Sequence, residues 1–463
     1  MSEKESVSEH NASQPDECIR LREFKDFLRE LVLEAVNNAS NTGEMTRVCI
    51  SRSSNETYPV YSQEVSSEII MTVWNQLQLK RCPRYFQLSI LRNVFKESEQ
   101  GLCNAKECEF SLAKKDENVQ RDTEMVYDLV KLQKYVVNNL EKFLTRLTDN
   151  TEVSNLPNYA DTEALCADGA KCNCNAVASA TPTVYTSGHI KNKPRKMEDR
   201  HVCLERFSEI YQLNSKYSFY GVYDGHSGPL AASYAACQLP YILAESLKTK
   251  INDTYDIKDY REAFEHAFLQ TDKMFTQKNI SSGTTAVCIL LSNPVPPANG
   301  HLYVAWVGDS KALLVSPTVS LQLVKSHKPD APDERKRIEM TEGGGTVMYV
   351  QGQWRVNGIL NVSRSIGDYS VAPAIAEPDF VDITLTAAHD FVVLGTDGLF
   401  DHVSEAKIVE TIYKSLADAE QKIENIPKTL IELAKDGDSQ DNITVVIVFL
   451  KQRSDIVQNF KNA

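Results

Sequence analysis

The chain has 463 residues, of which 42% are hydrophobic and 24% charged, and its formal net charge is −13 at pH 7. The length predicts two or three domains, and the acidic balance argues against nucleic-acid binding through phosphate neutralisation. No apolar stretch approaches the roughly 20 residues of a membrane-spanning helix, and the polar start lacks the apolar core of a secretory signal. We therefore expect a cytoplasmic protein, with the nucleus as a second location, and neither membrane nor nucleic-acid partners.

Helical periodicity dominates the first third of the sequence. Apolar residues recur every three or four positions over 18–36, 65–79, 85–95 and 125–147. This region has no clustered histidine, cysteine or carboxylate at metal-ligand spacing. We interpret 16–150 as a helical interaction domain, preceded by a disordered N-terminus at 1–15.

The pattern changes after residue 150. Small and turn-forming residues fill 151–182, which we interpret as a linker. Beyond it, β-branched and aromatic runs between Gly, Asn and Pro predict strands at 217–224, 285–292, 302–309, 312–315, 391–396 and 443–450. Helical patterns are found at 230–250, 259–279, 333–341 and 404–416. We assign 183–452 to a catalytic domain and 453–463 to a C-terminal tail.

Several predicted strands end in a carboxylate. Asp224, Asp309 and Asp397 each follow an apolar run and precede a small residue. Asp441 comes just before the last strand, so an antiparallel neighbour would place it at the same sheet edge. A single Asp-Gly is usually only a turn, but carboxylates gathered at one edge repel each other unless cations neutralise them. Oxygen ligands without thiolates favour Mg²⁺ or Mn²⁺ over zinc.

A phosphate site is suggested by the residues around these aspartates. Glu198 and Asp199 stand in a basic stretch at 193–201, which suits a place where metals and phosphate meet. Two bridged cations would activate a water for in-line attack on phosphorus. His226, just beyond the Asp224 turn, could protonate the leaving group, although a lone histidine in such a loop is more often a surface or capping residue.

Eight ordered motifs resemble those of the metal-dependent type 2C serine/threonine protein phosphatases. They are Met197-Glu198-Asp199, Tyr223-Asp224-Gly225-His226-Ser227-Gly228, Ser282-Gly283-Thr284-Thr285-Ala286, Val307-Gly308-Asp309-Ser310-Lys311-Ala312, His327-Lys328-Pro329, Val362-Ser363-Arg364-Ser365-Ile366-Gly367-Asp368, Thr396-Asp397-Gly398-Leu399-Phe400-Asp401 and Asp441-Asn442. The resemblance covers roughly 183–450. It implies an α+β protein whose catalytic domain is an α/β/β/α sandwich of two antiparallel sheets flanked by helices, preceded by the mainly α-helical domain.

The resemblance also implies a ligand set for two Mg²⁺ or Mn²⁺ ions. Asp224 would bridge both ions, and the Gly225 carbonyl would join one of them. Asp397 and Asp441 would complete the pair. The remaining acidic positions that the motifs imply are Asp199 and Glu198, acting partly through metal-bound water, and Asp309 and Asp401, at a weaker third metal.

Phosphate capture departs from the family pattern. The position of the usual phosphate-binding arginine is Pro194 here, and Arg195 is one place later. We therefore expect Arg195 to bind the phosphate, beside His226 and Glu198 as the other catalytic residues. The flap beside the cleft would fall within 326–369.

The whole chain resembles the nematode sex-determination members of this family. That resemblance implies a regulatory phosphatase that acts on phosphoproteins in signalling and development. Its helical domain would contact regulatory partners, including other sex-determination proteins. On this view, deletion of residues 1 to about 160 leaves turnover of a small aryl phosphate largely intact but lowers activity or localisation toward the true target. The alternative is a catalytically weak scaffold with a phosphatase fold that acts through protein–protein interaction.

Overall fold

A computed structural model describes residues 22–31, 57–109, 125–148, 184–249, 256–292 and 300–462. The predicted disordered N-terminus at 1–15 and the predicted linker at 151–182 lie outside these ranges. The chain divides into two compact units. Within the described residues, the helical unit comprises 22–31, 69–109 and 130–148, and the catalytic unit comprises 57–68, 125–129 and the residues from 184 onward.

Four helices account for most of the described N-terminal region. They are α1 (22–31), α2 (Val65–Leu79), α3 (Arg84–Leu102) and α4 (Leu129–Thr148). Helix α4 begins later than the predicted 125 because Val126–Asp128 forms strand β2, antiparallel to β1 (Pro59–Tyr61). In the helical unit, Phe24 stacks on Phe86 with ring centroids 4.0 Å apart.

The catalytic unit contains two five-stranded antiparallel sheets. One has the order β11-β10-β16-β17-β3, and the other has the order β15-β9-β8-β5-β4. The strands are β3 (Val184–Ile190), β4 (Arg200–Leu204), β5 (Tyr217–Tyr223), β6 (Gly225–His226), β7 (Gly283–Thr284), β8 (Ala286–Ser292), β9 (His301–Val307), β10 (Lys311–Val315), β11 (Ser320–Gln322), β12 (Val347–Val350), β13 (Gln353–Val356), β14 (Ile366–Gly367), β15 (Asp379–Thr384), β16 (Phe391–Gly395) and β17 (Ile443–Phe449).

The two large sheets pack face to face. One apolar cluster combines Ile289 and Val304 of one sheet with Leu314, Leu394 and Val446 of the other, all buried. Alternate residues of a strand point to opposite faces, so the neighbours of these residues face the covering helices. The predicted α+β sandwich is confirmed.

Most of the remaining described helices cover the outer faces of the two large sheets, whereas the one at Pro332–Met340 packs beside β12 and β13. These helices are α5 (Phe207–Tyr211), α6 (Leu230–Lys248), α7 (Ile257–Thr276), α8 (Pro332–Met340), α9 (Asp397–Phe400), α10 (Glu405–Ala417), α11 (Ile426–Asp436) and α12 (Arg453–Asn462). The residues after 452, predicted as a tail, form α12, and Ile456 within it is fully buried against the α10–α11 layer. In the described part of the chain, no helix is long and apolar enough to cross a bilayer.

Candidate active site

Strand pairing places four of the predicted ligand residues at the ends of paired strands. They are Asp199, Asp224, Asp397 and Asp441. Gly395 of β16 lies opposite Val445 of antiparallel β17, so Asp397 follows the end of one strand near where Asp441 precedes the other. In the second sheet, Arg200 lies opposite Tyr223. Asp199 and Asp224 therefore flank that pair of strands.

These carboxylates lie close enough to repel one another, with Asp199 buried, Asp224 and Asp397 half-buried and Asp441 exposed. Burial raises the pKa of Asp224 well above its usual range, and the charges of Asp199, Asp397, Asp309 and Asp441 raise it further. Burial also raises the pKa of Asp397, and the neighbouring negative charges raise it further, to about 7. A cluster of this kind favours binding of protons or cations.

Asp199 is fixed by hydroxyl groups from the opposing sheet. Its Oδ2 accepts hydrogen bonds from Thr396 Oγ1 at 3.1 Å and Thr444 Oγ1 at 2.7 Å. The residue is buried, and burial raises its pKa to about 7 even though both hydroxyls oppose the shift. The two threonines therefore hold this carboxylate across the sandwich.

Asn442 ties the Glu198–Asp199 turn to the start of β17. Its Oδ1 accepts a hydrogen bond from the backbone N–H of Glu198 at 2.6 Å, and its Nδ2 donates to the carbonyls of Lys191 and Lys196. The Glu198 carbonyl lies so close to Gly225 that a Cβ there would meet it at 2.4 Å. The turn that carries Glu198 is therefore packed directly on the Asp224–Gly225 turn.

His226 is held by a carboxylate that the sequence analysis did not assign. Its Nε2 lies 2.7 Å from Oδ2 of Asp368, which also accepts a 2.6 Å hydrogen bond from Ser365 Oγ. Asp368 has a left-handed backbone (φ 52°) and is buried, while 28% of the His226 side chain is exposed. A non-glycine residue in this conformation is uncommon, and here it directs the carboxylate at the ring.

A three-stranded sheet, β14-β7-β6, joins His226 and Asp368 through Gly283. A Cβ at Gly283 would lie 2.4 Å from His226 Nε2 and 2.1 Å from Asp368 Oδ2. Next to it, Thr284 Oγ1 and the Thr285 N–H each donate to the Asp224 carbonyl at 2.9 Å. Only glycine fits at position 283 without displacing His226 or Asp368.

The third-metal candidates already have cationic neighbours. Lys328 Nζ forms an ion pair with Asp309, and the attraction outweighs the effect of burial, so that the pKa of Lys328 is raised. Lys311 Nζ lies 3.8 Å from Asp401. The lysine ammonium groups therefore neutralise part of the negative charge of Asp309 and Asp401.

Arg195 and the flap arginines differ in their surroundings. The Arg195 side chain is exposed. Arg364 and Arg337 instead donate to the buried carboxylate of Glu334 at 2.6 and 2.8 Å, which holds the base of the flap. Their hydrogen bonds overcome the effect of burial and lower the pKa of Glu334 to about 2.

The donor set suits hard divalent cations chemically. It consists of carboxylates and the Gly225 carbonyl, and the carboxylates repel one another. Among the described residues, no three acidic, histidine or cysteine side chains converge closely enough to form a metal cluster by themselves. Sites of this chemistry commonly complete the ligand shell with water and backbone carbonyls.

The sequence analysis quoted the motifs that contain Asp368, Thr284 and Lys328 but gave these residues no role. Asp368 closes a motif whose glycine precedes it, which is a signal for a special backbone conformation. Lys328 stands next to a histidine and a proline in a motif without other charge. In each case the partner is far away in sequence, so pairing could be recognised only from the fold.

Comparison with known proteins identifies the catalytic region. Residues 183–443 match the family model described as Protein phosphatase 2C, which is more than half of the chain. Protein phosphatase 1E of Mus musculus is 37% identical over 286 residues, covering 60% of this chain and 36% of that protein. Protein phosphatase 1F of Mus musculus is 36% identical over 276 residues, covering 58% of each. The chain thus spans less than two thirds of the length of these curated relatives.

Solved structures show the same fold. A sex-determining protein of C. elegans aligns over 95% of this chain and 97% of its own, with a TM-score of 0.69 and 19% identity. Serine-threonine phosphatase 2C of Toxoplasma gondii aligns over 59% of this chain and 96% of its own, with a TM-score of 0.50 and 20% identity. At such identities the likeness concerns the fold alone. The family match, however, covers more than half of the sequence and includes every aspartate at the strand ends, and the chain belongs to the protein phosphatase 2C family.

Proposed function

We propose that this chain hydrolyses phosphoserine and phosphothreonine in proteins and requires Mg²⁺ or Mn²⁺. The observation that carries the proposal is the group of mutually repelling strand-end aspartates beside the His226–Asp368 pair. The repelling aspartates favour binding of cations, and the His226–Asp368 pair can place a proton donor at the same cleft. Membership of the family supports this assignment.

The residues proposed to hold two cations come from four strand ends and turns. They are Asp224, the Gly225 carbonyl, Asp397 and Asp441, with Asp199 and Glu198 contributing through water. When bound, the cations would activate a water as nucleophile and stabilise charge on the phosphoryl group. The third-metal role of Asp309 and Asp401 remains a proposal, and the neighbouring lysines are expected to weaken that site.

His226 and Arg195 act on the substrate in this proposal. His226 gives a proton to the departing serine or threonine oxygen, and Asp368 keeps its ring in one orientation. The exposed guanidinium of Arg195 is available to bind the phosphate in a bidentate fashion. With a water as the nucleophile, this mechanism needs no nucleophilic side chain, so no covalent enzyme intermediate is expected.

The decisive experiment is phosphate release from a phosphothreonine peptide with and without Mn²⁺ or Mg²⁺. Wild type and the exposed-aspartate control Asp436→Ala should show metal-dependent turnover, and Asp224→Ala should lose it. Absence of turnover in folded, metal-supplied wild type would refute the enzyme assignment. It would favour the scaffold alternative.

We further propose a regulatory role in which the helical region binds partner proteins. What supports it is the fold likeness to the C. elegans sex-determining protein, which extends over 95% of this chain and so includes the N-terminal helices. On this proposal the partners include other sex-determination proteins. Affinity capture with the full chain, compared between wild type and variants of exposed residues on α3 and α4, would test the role of those helices.

A further inference from the structure

An N-terminal segment is built into the catalytic unit. Residues 57–68, here called the strap, comprise β1, a short 3₁₀ turn at Ser62–Glu64 and the first residues of α2. They lie in sequence between two parts of the helical unit, yet they belong to the same compact unit as the two large sheets. Tyr58 and Val60 of the strap are fully buried or nearly so.

The strap contributes one half of a buried ion pair. Glu64 Oε2 lies 2.8 Å from Lys278 Nζ, and both side chains have 0% exposure. Lys278 Nζ also donates to the Pro59 carbonyl at 2.6 Å. Three tyrosine rings surround the ammonium, with centroids 5.3, 4.6 and 5.0 Å away, from Tyr58, Tyr61 and Tyr234 respectively. An isolated buried ammonium is strongly unfavourable, so Lys278 depends on the strap for its position.

Lys278 directly precedes a loop that packs on the candidate active site. Helix α7 ends at Thr276, and residues 279–285, here called the inner loop, begin directly after Lys278. Ser282 within this loop accepts a hydrogen bond from the Ala231 N–H on its hydroxyl and one from the Asp368 N–H on its carbonyl. The loop is thus fixed on one side by helix α6 and on another by the Asp368 turn.

The inner loop in turn fixes the reacting groups. Gly283 packs against His226 and Asp368 with no room for a methyl group. Thr284 and Thr285 hold the Asp224 carbonyl. Displacement of the loop would therefore disturb a predicted metal ligand and the predicted proton donor together.

We propose that the Glu64–Lys278 pair positions the inner loop, which makes the strap a positioning element of the active site. The inference rests on the proposed phosphatase function. Neither Glu64 nor Lys278 touches the substrate; both act through the backbone of the inner loop. The strap consequently belongs to the catalytic machinery rather than to a separable interaction domain.

The test uses the full chain with Glu64→Gln, Lys278→Met and the milder Tyr234→Phe, which removes only the hydroxyl that donates to Glu64. The matched control is Lys451→Met, which breaks another ion pair, between the partly buried Lys451 and the fully buried Asp390 at 2.7 Å, whose hydrogen bond does not involve the inner loop. Five quantities are measured: kcat and KM for a small aryl phosphate at saturating Mn²⁺, Mn²⁺ affinity by calorimetry, amide hydrogen exchange of 279–285, and melting temperature.

We expect Glu64→Gln and Lys278→Met to lower kcat at least tenfold with KM changed less than twofold. Mn²⁺ affinity should fall severalfold, exchange in 279–285 should quicken, and Tyr234→Phe should be intermediate. Lys451→Met should lower only the melting temperature. If the strap variants behave like this control, the positioning role is wrong. If wild type has no turnover, the proposed phosphatase function is wrong, but the positioning role can still be tested without activity. Unchanged Mn²⁺ affinity and unchanged amide exchange in the strap variants would then overturn the inference.

Discussion

Replacement of Gly283 by alanine tests the geometry of the active site most directly. The new Cβ would lie 2.4 Å from His226 Nε2 and 2.1 Å from Asp368 Oδ2, whereas ordinary van der Waals contact begins at 3.4 Å. The ring and carboxylate must therefore retreat by about 1 Å or more, or the strand must move. Misplacement of about 1 Å in catalytic groups can reduce rates by roughly 10²-fold, and overpacking typically costs about 1–3 kcal/mol of unfolding free energy.

The assay for Gly283→Ala compares aryl phosphates of different leaving-group basicity. If His226 protonates the leaving oxygen, turnover of phenyl phosphate should fall more than turnover of 4-nitrophenyl phosphate, whose leaving group needs little protonation. The matched control is Gly188→Ala in β3, where the Cβ would lie 2.7 Å from Pro427 Cβ, away from the cleft. It should lose stability while kcat is retained. Unchanged kcat in Gly283→Ala, or an equal loss in both variants, would refute the reasoning.

Three further variants test other parts of the site. Arg195→Ala should raise KM for a phosphopeptide about 10- to 100-fold, as loss of a charge-assisted hydrogen bond predicts. The melting temperature should not change, because the side chain is exposed. A loss of stability as large as the loss of substrate binding would contradict this assignment. Glu334 has a pKa of about 2, below its ordinary 4.5, because hydrogen bonds from the flap arginines such as Arg364 outweigh burial. Its contribution of up to about 3 kcal/mol is therefore present above pH 4.5 and lost as the pH falls towards 2, so urea unfolding of wild type and Glu334→Gln should converge at low pH and diverge at pH 6. Lys328→Met leaves Asp309 without its ammonium partner and should tighten Mn²⁺ binding severalfold in calorimetry, whereas weaker binding would show that Lys328 supports the site.

The sequence predicted the central strands well because they are buried on both faces. The runs at 217–224, 391–396 and 443–450 consist of apolar and β-branched residues, and the observed strands end within a residue of these limits. Edge strands were missed. Val184–Ile190 contains glycine, serine and histidine, and the apolar residues of Asp379–Thr384 are interrupted by Asp382, so neither has the continuous apolar pattern that marks a central strand.

Some helices were missed although local signals existed. Ile426–Asp436 has proline in its first turn and buried residues at helical spacing, which are ordinary helix signals. For α4, the amphipathic pattern extended into Val126–Asp128, but pairing with β1 prevailed there. Local periodicity does not reveal that a strand partner lies more than sixty residues earlier.

Side-chain pairs between residues far apart in sequence limited how much of the candidate site could be predicted from the sequence. The strand-end aspartates could be proposed from sequence because Asp224, Asp309 and Asp397 each follow an apolar run and Asp441 comes just before one. The His226–Asp368 pair spans 142 residues, and the Glu64–Lys278 pair spans 214. Neither partner has a local pattern that points to the other, so these contacts required the fold.

The boundary between interaction domain and catalytic domain has a direct consequence for truncation. The sequence predicts that deletion of residues 1 to about 160 leaves turnover of a small aryl phosphate largely intact, but this deletion also removes the strap. Lys278 would lose Glu64 and the Pro59 carbonyl, and the buried ring of Tyr234 would lose its cover. Since the strap also buries Tyr58 and other apolar groups, which contribute roughly 1.5–3 kcal/mol each, we expect the shortened chain to melt at a lower temperature and to lose most of its kcat. A synthetic peptide of residues 57–68 added in trans should restore part of that activity if the strap acts by docking. Full activity of the shortened chain without the peptide would instead mean that the inner loop holds its position unaided.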